Sequence, residues 1–167
     1  SPVTIRTIGG RSPRLGPGYL LYVSSRGNAE GIWKFADGKS TELWSVSGGR
    51  ILGRPAISRD AARIAFSVQE HGRTRMYVMN SDGSAARMLT DSLEPRGTPA
   101  WAPDGQSIAV AATIGGKPSL ATVSLDGKTV RPMVSEFAAD PAWSPDGAFL
   151  VYSGPDVGTT FQIRAVS

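Results

Sequence analysis

A chain of 167 residues, 40% hydrophobic and 19% charged, has an ordinary globular balance and enough length to bury a core. The absence of cysteine excludes disulfides, thiolate metal sites and cysteine nucleophiles, and no apolar run approaches the roughly 18 residues of a membrane-spanning helix. A net charge of +4 favours anionic surfaces weakly; with no dense Lys/Arg run it falls short of a nucleic-acid footprint.

In chain order, Val3-Thr4-Ile5-Arg6-Thr7-Ile8 alternates apolar and polar residues and predicts one short strand. The Gly- and Pro-rich stretch 9–18 predicts loop. Residues 1–10 lack the charged start and apolar middle of a secretory leader, leaving either a removed leader or a piece cut from something larger. A repeat then begins near residue 14. Leu20-Leu21-Tyr22-Val23-Ser24, Ile64-Ala65-Phe66-Ser67, Ile108-Ala109-Val110-Ala111 and Phe149-Leu150-Val151-Tyr152-Ser153 recur at a spacing of roughly 40–45 residues. The last three follow Pro55-Ala56-Ile57-Ser58-Arg59-Asp60-Ala61, Pro99-Ala100-Trp101-Ala102-Pro103-Asp104-Gly105 and Pro141-Ala142-Trp143-Ser144-Pro145-Asp146-Gly147. In the first copy Gly16-Pro17-Gly18 replaces that turn.

A second apolar run completes each copy: Ile32-Trp33-Lys34-Phe35, Met76-Tyr77-Val78-Met79, Leu120-Ala121-Thr122-Val123 and Ile163-Arg164-Ala165-Val166. Asp37-Gly38, Asp82-Gly83 and Asp126-Gly127 close the first three, and strand-like residues 41–44, 86–90 and 130–134 follow them. Gly accepts positive φ without steric cost and Asp bonds the turn backbone, so these pairs mark tight turns. Each unit reads as four short strands, a to d. No segment sustains helical apolar spacing. The fold class is therefore all-β, a β-propeller of four-stranded antiparallel blades. The repeats span approximately 14–46, 54–90, 98–134 and 140–167, the last without its closing turn and fourth strand.

These motifs resemble the TolB-like (WD40-like Pro-Asp repeat) propellers, marked by a Trp-Ser-Pro-Asp-Gly turn between two strands. Residues 143–147 match fully, and residues 101–105 depart only at Ala102. Ile57-Ser58-Arg59-Asp60-Ala61 keeps the Ser and Asp but loses the Trp, Pro and Gly. The resemblance implies a ring of six or so blades and a periplasmic or extracytoplasmic setting. It also implies a binding or sensing role, or the non-catalytic propeller of a prolyl-oligopeptidase-like peptidase. With about four units present, three arrangements accommodate the count. The chain is a segment of a longer propeller, two copies complete each other, or four units close with residues 3–8 pairing beside Ile163–Val166. The degenerate first turn and the end inside a blade favour the segment.

Catalytic sets are missing. The lone His71 lies in a polar stretch, and no Gly-x-Ser-x-Gly elbow presents a nucleophile. Gly38-Lys39-Ser40 and Gly127-Lys128-Thr129 mimic the end of a phosphate-binding loop, but Trp33 and Thr122 stand where its first glycine belongs. Asn80-Ser81-Asp82-Gly83 lacks the closing carboxylate of a calcium loop, since Leu89 falls there. Asp82-Gly83, Asp104-Gly105, Asp126-Gly127 and Asp146-Gly147 read as turns, and Trp101, Trp143, Trp33 and Tyr77 as packing between blades. No cofactor or metal is expected.

What remains is a binding surface. Strand connectivity puts the b–c and d–a connections on one rim and the a–b and c–d turns on the other. The first rim is expected to carry the longer loops and, on them, Arg50, Arg54, Arg73, Arg75 and Arg96, whose guanidinium groups suit carboxylate or phosphate. The chain thus reads as a non-enzymatic module binding a protein segment or a small anionic ligand. The alternatives are the gating propeller of a serine peptidase, whose catalytic domain lies elsewhere, and a structural or oligomerising module.

Overall fold

Turn residues at short intervals and strands apolar on both faces leave few options other than stacked antiparallel sheets. The computed structural model describes residues 8–156, 158, 160 and 162–167, and among them are fifteen strands and no helix. The first sheet is β1 (Arg11–Gly16), β2 (Tyr19–Arg26), β3 (Ala29–Ala36) and β4 (Lys39–Ser47). The second is β5 (Arg50–Ile57), β6 (Arg63–Glu70), β7 (Arg73–Asn80) and β8 (Arg87–Thr90). The third is β9 (Glu94–Trp101), β10 (Ser107–Ile114), β11 (Lys117–Ser124) and β12 (Val130–Val134). The fourth has three strands, β13 (Ala139–Trp143), β14 (Leu150–Ser153) and β15 (Ile163–Val166). Pairing within every sheet is sequential and antiparallel.

Period-two alternation along the second strand of each sheet builds the core between blades. Ile64, Phe66 and Val68 of β6 pack towards the first blade with Leu21, Val23 and Ile32. Ala65 points the other way, into a cluster with Ile108, Val110 and Ala112 of β10. Ala109 and Ala111 of β10 then meet Leu150 and Tyr152 of the fourth blade. From the third blade on, large side chains of one sheet thus pack over alanines of the preceding one. Phe66, Ile64 and Ile108 are fully buried, each contributing about 1.5–3 kcal/mol. Trp44 of β4 adds an outer contact, its ring 4.8 Å from Phe66 and 5.5 Å from Tyr77 of the next blade.

The first strands of the blades contact one another in series, β1 to β5 to β9 to β13, and form the inner wall of the arc. Each carries a bulge, with a left-handed residue at Ser12, Gly53, Gly97 or Asp140. At Gly53 the glycine is required twice over. Its φ is +65°, and a Cβ there would stand 2.5 Å from the Thr98 amide of the next blade. That close approach lets the Arg54 amide donate to Thr98 Oγ1 at 2.9 Å.

Two expectations change. Residues 9–18 are not all loop: Arg11–Gly16 is the inner strand of the first blade. Pro13 is tolerated there because the strand pairs on one side only and bulges between Arg11 and Arg14. The b–c connections are not long loops but two-residue turns at Gly27-Asn28, His71-Gly72 and Gly115-Gly116. Positive φ at both residues of the last two gives hairpin turns that continue the strand twist. Among the described residues the four units form an open arc, which goes with the favoured segment rather than with closure of four units. The predicted strand at 3–8 falls almost wholly outside the described residues, and Ile8 carries no strand.

Candidate binding surface

The repeated turn is the best-defined local device. Ser144 donates to Asp146 Oδ1 at 2.6 Å and accepts from the Phe149 amide, five residues on, at 3.1 Å. Asp146 also accepts from the Ala148 amide at 3.0 Å, and the Gly147 amide donates back to the Ser144 carbonyl at 2.9 Å. Ser58 and Asp60 repeat this arrangement in the second blade, as do Ser124 and Asp126 in the c–d turn of the third. Asp104, which follows Ala102 rather than a serine, accepts from the Gln106 amide, and Asp82 from the Ser84 amide and hydroxyl. The serine hydroxyl first, and then the backbone N–H, hold the Asp60, Asp82, Asp126 and Asp146 carboxyls below the usual carboxylate range. With their oxygens turned into the turn backbone, these aspartates organise loops. No group of three or more His, Cys, Asp or Glu side chains converges on a metal position among the described residues.

The a–b turns frame a groove of about 530 Å³ where the inner strands of three blades end. Its floor is apolar and rigid: Ile57, Pro99, Trp101, Pro103, Pro141, Trp143 and Pro145. Among the described residues its charged lining is Arg14 and Arg59, with no carboxylate. Trp101 is buried, and its indole N–H donates to the Ala56 carbonyl of the preceding blade at 3.0 Å. Trp143 holds the equivalent place one blade on, yet its buried indole N–H has no acceptor among the described residues. A ready-made apolar concavity with a few polar groups at its edge is the usual form of a binding site.

The five arginines expected on the opposite rim do not form one cluster. All lie in strands rather than loops. Arg75 is tied to Glu70 at 2.9 Å, and that carboxylate also accepts from the Tyr77 hydroxyl. Burial and then the Glu70 charge push the Tyr77 phenol up. Arg73 faces Glu70 across the His71-Gly72 turn. Arg50 borders a small polar depression with Arg11 and Glu30. In that depression Glu30 accepts from both Arg11 and the Ile51 amide, clasping the first blade to the second. Arg54 is exposed on β5, and Arg96 lies over the Phe137 ring at 5.2 Å.

A family model described as the TolB beta propeller domain matches residues 18–167. The chain belongs to the TolB β-propeller family. Among curated relatives, the TolB homolog of Chlorobium luteolum is 30% identical over 80% of this chain and 30% of its own length. An uncharacterized peptidase of Bacillus subtilis, YuxL, is 27% identical over 79% of this chain and 27% of its own. Among solved structures, TolB from Acinetobacter baumannii superposes with a TM-score of 0.71 at 20% identity, covering 89% of this chain and 38% of that one. This TolB-type segment spans 27% and 30% of the length of the two curated relatives named.

Within this TolB-type arc, sequence reasoning missed Arg14 and Arg59. Arg14 sat in a stretch read as loop. Arg59 counted only as a departure from the repeat. The available signal was an arginine at the position where sister turns hold Pro103 and Pro145.

Proposed function

We propose that this TolB-type segment is a non-enzymatic binding module that takes a protein segment into the groove at the a–b turns. The groove itself carries the reading: a rigid concavity floored by Ile57, Trp and Pro of three blades, edged by Arg14 of the first blade and fixed by the repeated Ser–Asp turns. Backbone-anchored aromatic and proline surfaces favour extended chain at low entropic cost. An extracytoplasmic setting goes with this reading, supported by the TolB homologs among its relatives. Panning a random heptapeptide phage library on the protein tests it. Enriched peptides should lose binding to Ala142→Arg, which places bulk at an exposed groove residue. Enrichment of none, or binding indifferent to that substitution, contradicts the proposal.

Two other readings have specific support. Arg96 keeps two buried guanidinium nitrogens without an acceptor among the described residues, which favours an anion at the opposite rim. Alanine at Arg54, Arg73 and Arg96 should then weaken that partner's affinity. The likeness to the B. subtilis peptidase favours a gating propeller, and a Gly-x-Ser-x-Gly domain in the same native reading frame would establish it.

A further inference from the structure

The second blade's turn departs from its sisters at a position facing the groove. Pro103 and Pro145 stand there in the third and fourth blades, and Arg59 in the second. Arg59 is exposed, and its Nη1 reaches over to donate to the Pro145 carbonyl at 3.3 Å. Its other donors meet no acceptor among the described residues. Arg14, on the inner strand of the first blade, lines the same groove and the concavity beside it. No ion pair among the described residues engages either side chain. Two guanidinium groups with open donors therefore edge a floor of Trp and Pro.

No carboxylate among the described residues lines the groove with them. Asp60 and Asp104 border a separate, smaller depression that Arg59 also lines. Each has an oxygen committed to turn amides, those of Ala62 and Gln106. A guanidinium fork matches a carboxylate in bidentate geometry, and an apolar floor strengthens the pair by excluding water. The same floor offers a small free anion nothing further.

We infer that the groove selects extended peptide segments bearing a carboxylate, held by Arg59 and Arg14 over the floor of Trp101, Trp143 and the prolines. This rests on the groove being the binding surface. The probes are labelled peptides with glutamate between proline and aromatic residues, alongside counterparts carrying glutamine or lysine. Affinity is read by fluorescence polarisation at low and high salt, with acetate and inorganic phosphate as competitors. The glutamate set should bind roughly tenfold more tightly than either counterpart, with the difference shrinking at high salt. Arg59→Pro restores the residue of the sister turns. It should reduce the preference for glutamate severalfold, Arg59→Gln should do the same if the proline variant does not fold, and Arg14→Gln added to either should abolish the preference. Equal binding of the glutamate and glutamine sets, or a glutamate preference that survives loss of both Arg59 and Arg14, overturns the inference and leaves the groove as a peptide site. Displacement by acetate or phosphate at concentrations matching the peptide's own assigns the site to free anions and overturns it too. Absence of binding by any peptide, or binding unaffected by Ala142→Arg, overturns the inference and the groove together.

Discussion

Ala61 adopts φ = +57°, where the sister turns place Gly105 at +68° and Gly147 at +74°. All three amides donate to the carbonyl three residues back at 2.9 Å, so the turn imposes this conformation whatever the side chain. An L-residue in the left-handed region carries a cost that glycine does not. Ala61→Gly should raise stability by about 0.5–1 kcal/mol, measured by urea denaturation; a loss of stability would show that the alanine is not strained. The turn aspartates set a second expectation. A carboxyl more acidic in the folded state than in the unfolded one stabilises fully above the unfolded value, about 3.9, and the contribution disappears as pH falls through the depressed folded values. The denaturation midpoint should therefore drop below about pH 4, and drop less in Asp146→Asn; equal acid sensitivity of the two proteins contradicts the assignment. These turns were readable from Asp-Gly pairs alone, because their chemistry is local. Arg59 was not, since its meaning depends on what the fold places opposite it.

The two equivalent tryptophans differ at the level of the element. Trp101 ties the end of β9 to the Ala56 carbonyl on β5, whereas Trp143 ends β13 with its N–H unpaired among the described residues. Trp101→Phe should cost about 1 kcal/mol through the lost hydrogen bond, in addition to any packing change. Trp143→Phe should come closer to neutral, because it removes a polar group that is already unsatisfied. Thermal melts of the pair decide this, and an equal loss in both contradicts the distinction. Strand identity was legible from period-two alternation, as in Ile64–Val68 with its alternately facing side chains. Strand length was not. Polar residues such as Gln69, Glu70, Arg73 and Thr74 read as loop, yet they extend β6 and β7 to a two-residue turn because the outer reaches of a blade keep pairing in water. That misreading turned two-residue hairpin turns into predicted long loops.

For the whole molecule, repetition explains both how much and how little could be read. Blade-to-blade equivalence fixes the sheets, their order and their packing. The proposed binding surface lies where equivalence breaks, at Arg59 in place of proline and at residues brought together from all four blades. Affinity on such a scaffold comes from its fixed concavity, so ligand contact should be confined to Arg14 on β1 and the ends of β5, β9 and β13 with their turns. Mapping amide chemical-shift changes in the isotope-labelled protein during titration with a groove-selected peptide tests this most directly. The changes should centre on Ile57, Ser58, Arg59, Ala100, Trp101, Ala142, Trp143 and the two indole N–H signals. Changes centred instead on His71-Gly72 and Gly115-Gly116, at the far rim, would contradict it.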